Sequence, residues 1–244
     1  MTGRIEIYLD IVSFYSYVAF KQLLDTRSLL EAHGVQVDIK PFFLGGIMAA
    51  SGNRPPWTVP AKAKYGSLDA DRTQHAVGLP DISPPEDLMA VSRTMLPLRA
   101  LHYIKATYSL EAYLTTWHYF LHLFWGPPKR NLCEAAELAK ALAEVRSGFG
   151  GASEKQSSQP LFSNHDVENI LKATGEAKWK AELKTTVEEA LERGAFGAPW
   201  LWVTNDQGKS EPFFGTDRWH FVYEFLGLPY QKSYLLGPDG KAKL

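Results

Sequence analysis

Hydrophobic and polar residues alternate in two short stretches near the start of the chain. Residues 5–9 (IEIYL) and 35–39 (VQVDI) show the period of two that is typical of β-strands. Between them, apolar residues recur at helical spacing from Ser13, which can cap a helix, to Ala32, and Gly34 can end that helix. A strand, a helix and a strand in this order predict a βαβ unit with two parallel strands and a right-handed crossover.

The strand pattern returns near the other end of the chain. Residues 200–203 (WLWV) and 212–214 (PFF) flank the turn sequence 205–208 (NDQG), which predicts a β-hairpin. The pair Thr216-Asp217 follows the hairpin and is expected to open a final helix that ends at residue 226.

The middle of the chain has a different character. Residues 44–60 are rich in Gly and Pro and predict a long structured loop. Helical spacing then predicts five helices, over residues 86–109, 110–125, 131–146, 166–173 and 176–193. The two outer pieces are each too small to bury a core alone. We therefore predict an α/β fold, with a thioredoxin-like βαβ–ββα domain from residues 1–64 and 184–244 and a large all-helical insertion over residues 65–183.

Composition and charge narrow the classes of function. The net charge is −1 with 22% charged residues, so no basic excess indicates a nucleic acid partner, and no apolar stretch is long enough for a membrane span. The single cysteine, Cys133, excludes a disulfide within the chain and is expected to fill a small apolar site in a reducing compartment. His118 and His122 have metal-ligand spacing, but their aromatic neighbours favour a packed helix, and we expect no metal.

The two ends of the chain bear on its location. The strand pattern begins within the first few residues, so no signal peptide or presequence is expected. The last residues, Ala242-Lys243-Leu244, resemble the Ser-Lys-Leu peroxisomal address. A plain basic tail is the alternative. We expect an intracellular protein, which is peroxisomal if the tripeptide is used and otherwise cytoplasmic or mitochondrial.

Thioredoxin-like domains carry their chemistry where the first helix begins. Thioredoxins have Cys-x-x-Cys at this point, whereas this chain has Ser13-Phe14-Tyr15-Ser16. Neither serine can cycle between a thiol and a disulfide. A redox enzyme is therefore disfavoured, and the reacting sulfur has to arrive with the ligand.

Four segments together carry a resemblance to a known family. They are residues 10–17 (DIVSFYSY), 46–56 (GIMAASGNRPP), 194–199 (GAFGAP) and 214–218 (FGTDR). In this order the chain resembles, over essentially its whole length, the kappa-class glutathione transferases and the related 2-hydroxychromene-2-carboxylate isomerases. Phe14 is a departure, because family members commonly have Pro there.

The resemblance implies that Ser13 contacts the sulfur of glutathione. A hydroxyl donor at the positive end of a helix favours a thiolate over a thiol, which agrees with that role. A plain helix cap is the alternative for Ser13. Ser16 matches the second cysteine of the redox motif, and a small polar residue in the first turn is at least as good an interpretation of it.

The later segments imply contacts with the rest of glutathione. Pro199 matches a cis-proline that faces the active site, which would expose the backbone of Ala198 to the cysteinyl part of the ligand. A carboxylate at Asp217 can bind the γ-glutamyl amino group, while the Thr216 hydroxyl and helix amides can take its carboxylate. A capping pair without a ligand is the alternative for these two residues.

Two residues in the segment after the second strand complete the implied site. Asn53 matches an asparagine near the cysteinyl part, and Lys62 matches a lysine near the glycine carboxylate, with a solvated surface charge as the alternative for Lys62. The glutathione-binding residues implied by the resemblance are Ser13, Phe14, Tyr15, Ser16, Asn53, Lys62, Ala198, Pro199, Thr216 and Asp217.

These expectations define a function and its rivals. We expect a homodimeric transferase without a metal that uses glutathione as co-substrate, stabilises its thiolate at Ser13 and adds it to hydrophobic electrophiles such as aryl halides. A glutathione-dependent isomerase of the 2-hydroxychromene-2-carboxylate type is one alternative. A non-catalytic glutathione-binding module is another, and a disulfide oxidoreductase is the least supported.

Overall fold

The computed structural model describes residues 3–79, 81–150 and 159–231 and contains a mixed β-sheet at its centre. Its strands are β1 (Gly3–Leu9), β2 (Val35–Pro41), β3 (Trp200–Asn205) and β4 (Ser210–Phe214), in the spatial order β2-β1-β3-β4. β1 pairs parallel with β2 and antiparallel with β3, and β3 and β4 form the predicted hairpin. The βαβ–ββα order that the sequence predicts is confirmed.

Helices surround this sheet. They are α1 (Phe14–Ala32), α2 (Leu44–Ser51), α3 (Pro60–Ala76), α4 (Met95–Thr107), α5 (Leu110–Trp125), α6 (Ala135–Glu144), α7 (Asn164–Gly175), α8 (Ala177–Glu192) and α9 (Trp219–Phe225). α4 to α8 are the helical block expected between the two outer pieces. A short 3₁₀ turn at Pro56–Thr58 precedes α3.

The central strand is buried on both faces. Ile5, Ile7 and Leu9 are fully buried, but so is Tyr8, and even Glu6 is only 6% exposed. Alternation alone would put one face of the strand in water, whereas a strand between two neighbours and two helical layers has no exposed face. The carboxylate of Glu6 is compensated by salt bridges to basic side chains on β2 and after α8, which allows a charged residue in this position.

The glycine-rich stretch was predicted to be a loop, and this is wrong in two places. Residues 44–51 form α2 although this segment contains Gly45 and Gly46. Gly45 has a packing reason to be glycine, because a Cβ there would lie 2.6 Å from the ring of Phe43. α3 then begins at Pro60, since proline is well suited to the first turn of a helix.

Three predicted helix starts are also wrong, by three to nine residues. The chain forms turns over residues 86–94, and α4 begins only after Thr94. The hydroxyl of Thr94 donates a hydrogen bond to the carboxylate of Asp10, which directly follows β1. α6 begins at Ala135 instead of 131, because the side chain of Asn131 accepts a hydrogen bond from the amide of Cys133 and stabilises a turn. The last helix begins at Trp219 instead of Thr216.

The predicted domain limits cross helices of the structure. The limit between residues 64 and 65 falls inside α3, and the one between 183 and 184 falls inside α8. One contiguous apolar cluster contains both Ile7 of the sheet and Trp117 of α5. The division into a thioredoxin-like part and an inserted part stays a prediction.

Two predictions concern residues that the structure does not describe. The tripeptide Ala242-Lys243-Leu244 lies outside the described residues, and so does most of the loop expected over 147–160. Within the described ranges, no helix combines the length and the apolar character needed to cross a membrane.

His118 generates a testable prediction about stability. Its ring is 6% exposed and packs against Tyr17, Phe20 and Phe149, its Nδ1 has no hydrogen-bond partner among the described residues, and burial lowers its pKa to about 4. A histidine that is neutral when folded contributes stability that is present above its unfolded pKa near 6.5 and is lost as the pH falls toward 4.

The variant His118→Phe should remove this pH dependence while keeping the packing. We expect the loss of unfolding free energy between pH 7 and pH 5 to be smaller than in the wild type by about 2 kcal/mol. Urea unfolding at the two pH values measures it. An equal loss in both proteins would show that His118 is not the titrating group.

Candidate functional site

Ser13 lies where β1 has ended and α1 begins. Its Oγ accepts a hydrogen bond from the amide of Ser16 at 3.1 Å, so it is the N-cap of a 19-residue helix. The same hydroxyl donates to the carbonyl of Ala198 at 3.4 Å, which is long for a hydroxyl donor. Ser13 is thus placed between the positive end of a long helix and the segment before β3.

The other residues of the Ser-x-x-Ser motif have separate positions. Ser16 is fully buried, and its Oγ accepts a hydrogen bond from the amide of Asp10 at 3.3 Å, so it lies behind the helix start. Phe14 occupies the first helical position despite replacing the family's proline, and its half-buried ring packs edge-on against Trp125.

The Ala198–Pro199 peptide bond is cis, as the resemblance implied. The register of the antiparallel pair places Tyr8 of β1 opposite Trp200 of β3. Ala198 therefore lies beside the first residues after β1. The carbonyl of Pro199 accepts a hydrogen bond from the amide of Gly215, which joins this segment to the end of the hairpin.

A cleft of about 290 Å³ lies beside these residues. Its lining residues are Tyr15, Asp69, Thr73, Ala198, Pro199, Phe214, Gly215, Thr216 and Asp217. Five of the predicted site residues are brought together in it, and Ser13 contacts its edge through Ala198. A larger and more open groove, about 540 Å³ along the edge strand β2, contains none of the predicted residues.

Asp69 and Thr73 belong to α3, the helix that the sequence did not predict. The hydroxyl of Tyr15 donates a short hydrogen bond to Asp69, and Tyr65 donates to the same carboxylate at 3.2 Å. Burial and the neighbouring carboxylate raise the pKa of Tyr15 far above its ordinary value, so its hydroxyl stays a donor. No residue of α3 is buried, which makes this contact important for its attachment.

Thr216 and Asp217 form a loop before α9, and they do not open the helix. The reason is a long-range contact: Gln22 of α1 donates to the carbonyl of Thr216 at 3.1 Å and accepts from the indole of Trp219 at 2.7 Å, which stabilises the bends over residues 215–217 before the helix. Asp217 is 69% exposed and forms an ion pair with Arg218. Its carboxylate therefore lies at the mouth of the cleft.

The two remaining predicted residues lie outside the cleft lining. Asn53 follows α2 and donates to the carbonyl of Phe196 at 2.7 Å, which links the α2 side to the segment before Pro199. Lys62 is exposed in the first turn of α3. The structure does not bring its ammonium group into contact with the other predicted residues.

Sequence reasoning missed two acidic residues near this site. Asp69 gave no signal, because α3 lacks the apolar periodicity by which a helix is recognised. Asp10 was noted only as part of a motif, yet it is fully buried and contacts both serines of Ser-x-x-Ser through its backbone. Cys133 is outside the cleft, where its thiol donates to the carbonyl of Val91 and burial raises its pKa to about 11.

The fold and this site define the class of protein. Residues 4–227 match the model of the DSBA-like thioredoxin domain, so the chain belongs to that family. Among solved structures, 2-hydroxychromene-2-carboxylate isomerase is similar with a TM-score of 0.63 and 18% identity, covering 92% of this chain and 94% of that chain, which shows the shared fold.

Curated relatives define the group more narrowly. The chain is 30% identical over 240 residues to Glutathione S-transferase kappa 1 of Caenorhabditis elegans, covering 93% of this chain and 92% of that protein. It is 26% identical over 233 residues to Glutathione S-transferase kappa 1 of Homo sapiens, covering 91% and 90%. The chain belongs to the glutathione S-transferase kappa family.

The attachment of α3 can be tested with Tyr15→Phe. Removing the hydroxyl deletes a hydrogen bond to a carboxylate that is partly exposed, so we expect a loss of about 1 kcal/mol of local stability and about fivefold faster amide hydrogen exchange over residues 60–76. Tyr65→Phe is the matched control, since it removes a hydrogen bond to the same carboxylate from within α3. Equal exchange in the two variants would contradict the role of Tyr15.

Proposed function

We propose that this protein is a kappa-like glutathione transferase that conjugates the thiolate of glutathione to hydrophobic electrophiles. One observation carries the proposal: Ser13 caps α1 and points its hydroxyl at the carbonyl of Ala198, beside the cis-proline and the cleft. The relatives named Glutathione S-transferase kappa support the same activity.

The first function of the site is to hold a thiolate. The sulfur of glutathione could replace the carbonyl of Ala198 as the acceptor of the hydrogen bond from the Ser13 hydroxyl. It would then lie at the positive end of α1. Lowering a thiol pKa from about 8.5 to about 6.5 corresponds to about 2.7 kcal/mol. The ionised fraction at neutral pH then rises about 25-fold, but the lower basicity reduces nucleophilicity roughly 8-fold. The net gain is small, so most of the rate has to come from holding the electrophile against the sulfur.

The polar groups of the cleft match the remaining parts of glutathione in charge and hydrogen-bonding capacity. The backbone of Ala198 can pair with the cysteinyl part, in the manner of one rung of a strand. The carboxylate of Asp217 suits the γ-glutamyl amino group, and Thr216 offers a hydroxyl to its carboxylate. We place Asn53 and Lys62 toward the cysteinyl part and the glycine carboxylate, as the resemblance implies.

The alternative is a glutathione-dependent isomerase. The similarity in fold to 2-hydroxychromene-2-carboxylate isomerase supports it. Glutathione would then add reversibly to an unsaturated aromatic carboxylate and leave again unchanged. Net consumption of glutathione distinguishes the two activities.

Three finer properties belong to the same proposal. We propose a homodimer that detoxifies reactive electrophiles and uses its C-terminal tripeptide as a peroxisomal address. Exposed apolar side chains on α3, Tyr65 at 58% and Leu68 at 56%, support an interface on that helix. Sedimentation at micromolar concentration that detects only monomers would count against the dimer.

Ser13→Ala tests the thiolate site directly. In the wild type we expect glutathione binding with a depressed thiol pKa, measured by thiolate absorbance against pH, together with conjugation of chlorodinitrobenzene. In Ser13→Ala we expect the thiol pKa to return toward about 8.5 and conjugation to fall at least tenfold, because the donor to the sulfur is gone.

The matched control is Ser109→Ala, which removes the N-cap of α5, a helix that contributes no residue to the lining of the cleft. Both variants should lose about 1 kcal/mol of stability, but only Ser13→Ala should change the thiol pKa. Wild type that binds no glutathione would overturn the proposal. Turnover without net consumption of glutathione would favour the isomerase, and saturable binding without turnover would favour a non-catalytic module.

Asp217→Asn tests the γ-glutamyl contact. Loss of a charged acceptor at the mouth of the cleft should raise the KM for glutathione about fivefold and leave kcat nearly unchanged, since the proposed contact is with the γ-glutamyl end and not with the sulfur. Asp206→Asn removes an equal charge in the turn of the hairpin and is the control. If both variants raise KM equally, the effect is one of net charge.

A further inference from the structure

The carboxylate of Asp10 is buried where β1 ends, and it accepts hydrogen bonds from three separate parts of the chain. Oδ1 accepts from the amide of Val12 at 3.2 Å and from the hydroxyl of Thr94 at 2.6 Å, while Oδ2 accepts from the amide of Leu44 at 2.7 Å. The residue is 0% exposed. Such a group does not contact a ligand in the cleft, so its effect on function has to be indirect.

The backbone of Asp10 contacts both serines of the motif. Its carbonyl accepts a hydrogen bond from the amide of Ser13 at 3.1 Å, and its own amide donates to the Oγ of Ser16 at 3.3 Å. Together with the bond from Val12, these contacts fix the conformation of the loop that presents the Ser13 hydroxyl.

Through its contact with Leu44, the carboxylate of Asp10 also orients α2 and the segment that follows it. Leu44 is the first residue of α2, and the preceding residue, Phe43, offers no side-chain cap. The carboxylate of Asp10 therefore satisfies an otherwise free amide at the helix start and suits its positive end. α2 leads to Asn53, which holds the carbonyl of Phe196 before the cis-proline.

We propose that Asp10 is a positioning residue that sets the Ser13 hydroxyl and the α2–Asn53 segment relative to each other, and so determines how well the site stabilises the glutathione thiolate. This inference rests on the proposed function. The contact with Thr94 completes the arrangement, because it fixes the carboxylate from the side of α4.

The ionisation of Asp10 makes the proposal testable through the pH dependence of conjugation. Burial raises its pKa to about 6, with the hydrogen bonds from Thr94, Leu44 and Val12 acting in the opposite direction. The negative charge of Asp10 contributes to the raised pKa of the Cys133 thiol, which is about 11, so that thiol is neutral at pH 7. Asp10 is therefore an anion at neutral pH and becomes protonated in mild acid.

Protonation has opposite effects on stability and on positioning. Because the folded pKa is raised, the contribution of Asp10 to stability is fully present below its unfolded value near 4 and is lost as the pH rises through about 6. The protonated group is a weaker acceptor for the amides that orient the site. Conjugation should thus decline more steeply in mild acid than protonation of the bound thiol alone predicts.

Asp10→Asn is the first test, since asparagine has the same shape but only one acceptor oxygen. We expect kcat/KM with chlorodinitrobenzene at pH 7 to fall roughly tenfold and the thiol pKa of bound glutathione to rise. A simple electrostatic effect predicts the reverse, because removing a buried anion favours a nearby thiolate. A thiol pKa that falls or stays constant would overturn the proposal.

Thr94→Val is the second test and keeps the carboxylate. Removing one donor should raise the pKa of Asp10, so the acid limb of the kcat/KM profile should move to higher pH, whereas a purely structural role would leave it in place. Thr116→Val, at another buried threonine whose hydroxyl donates within α5, is the control. An acid limb that does not move in Thr94→Val would overturn the proposal even if Asp10→Asn fails to fold.

A measurement without glutathione separates this inference from the proposed function. Asp10→Asn should accelerate amide hydrogen exchange over residues 12–16 and 44–53, while exchange within α5 stays at the wild-type rate. If the wild type binds no glutathione, the proposed function fails, and unchanged exchange at the two segments would show that the positioning role fails separately.

Discussion

The antiparallel pairing of β1 with β3 is the constraint on which the site depends. Because Tyr8 lies opposite Trp200, the residues that follow β1 come to lie beside those that precede β3, although they are nearly two hundred positions apart in the sequence. That register brings the Ser13 hydroxyl to the carbonyl of Ala198. A slip of one residue would turn every side chain of β3 to the other face and disrupt the packing of Trp200, Leu201 and Val203, which are all buried, so the packing of the sheet also fixes the site.

The charges around the cleft suggest that backbone groups and side chains bind different parts of glutathione in the proposed complex. Asp69 and Asp217 line the cleft, and Lys62 lies outside it, so the side chains of the cleft suit the ligand's amino group better than its carboxylates. In the proposed complex the thiolate would be stabilised by the start of α1 and by one hydroxyl, neither of which carries a full charge. Small displacements of such dipoles change their effect strongly, which is why the contacts behind Ser13 are important.

The sequence predicted well those elements whose own residues decide their structure. β1 and α5 have clear apolar patterns, α1 is rich in apolar residues, and the helix starts at Ser13 and Ser109 follow ordinary capping rules. α3 was missed because it buries nothing, and the role of Asp69 was missed with it. The burial of Asp10 depends on Leu44 and Thr94, partners 34 and 84 residues away, and no local pattern encodes such contacts.

Serines at the two positions where thioredoxins have redox cysteines change what the thioredoxin-like frame can do, while the positive end of α1 remains. The field at the start of α1 still favours a sulfur anion, but the one cysteine of the chain, Cys133, lies elsewhere and has a raised pKa. In the proposed function, the stabilised sulfur therefore belongs to the ligand. Ser13 can donate to that sulfur but cannot attack it, so the ligand keeps its nucleophile free for an electrophile. A thioredoxin-like fold that exchanges disulfides in other proteins is in this way suited to the proposed transfer of glutathione to an electrophile.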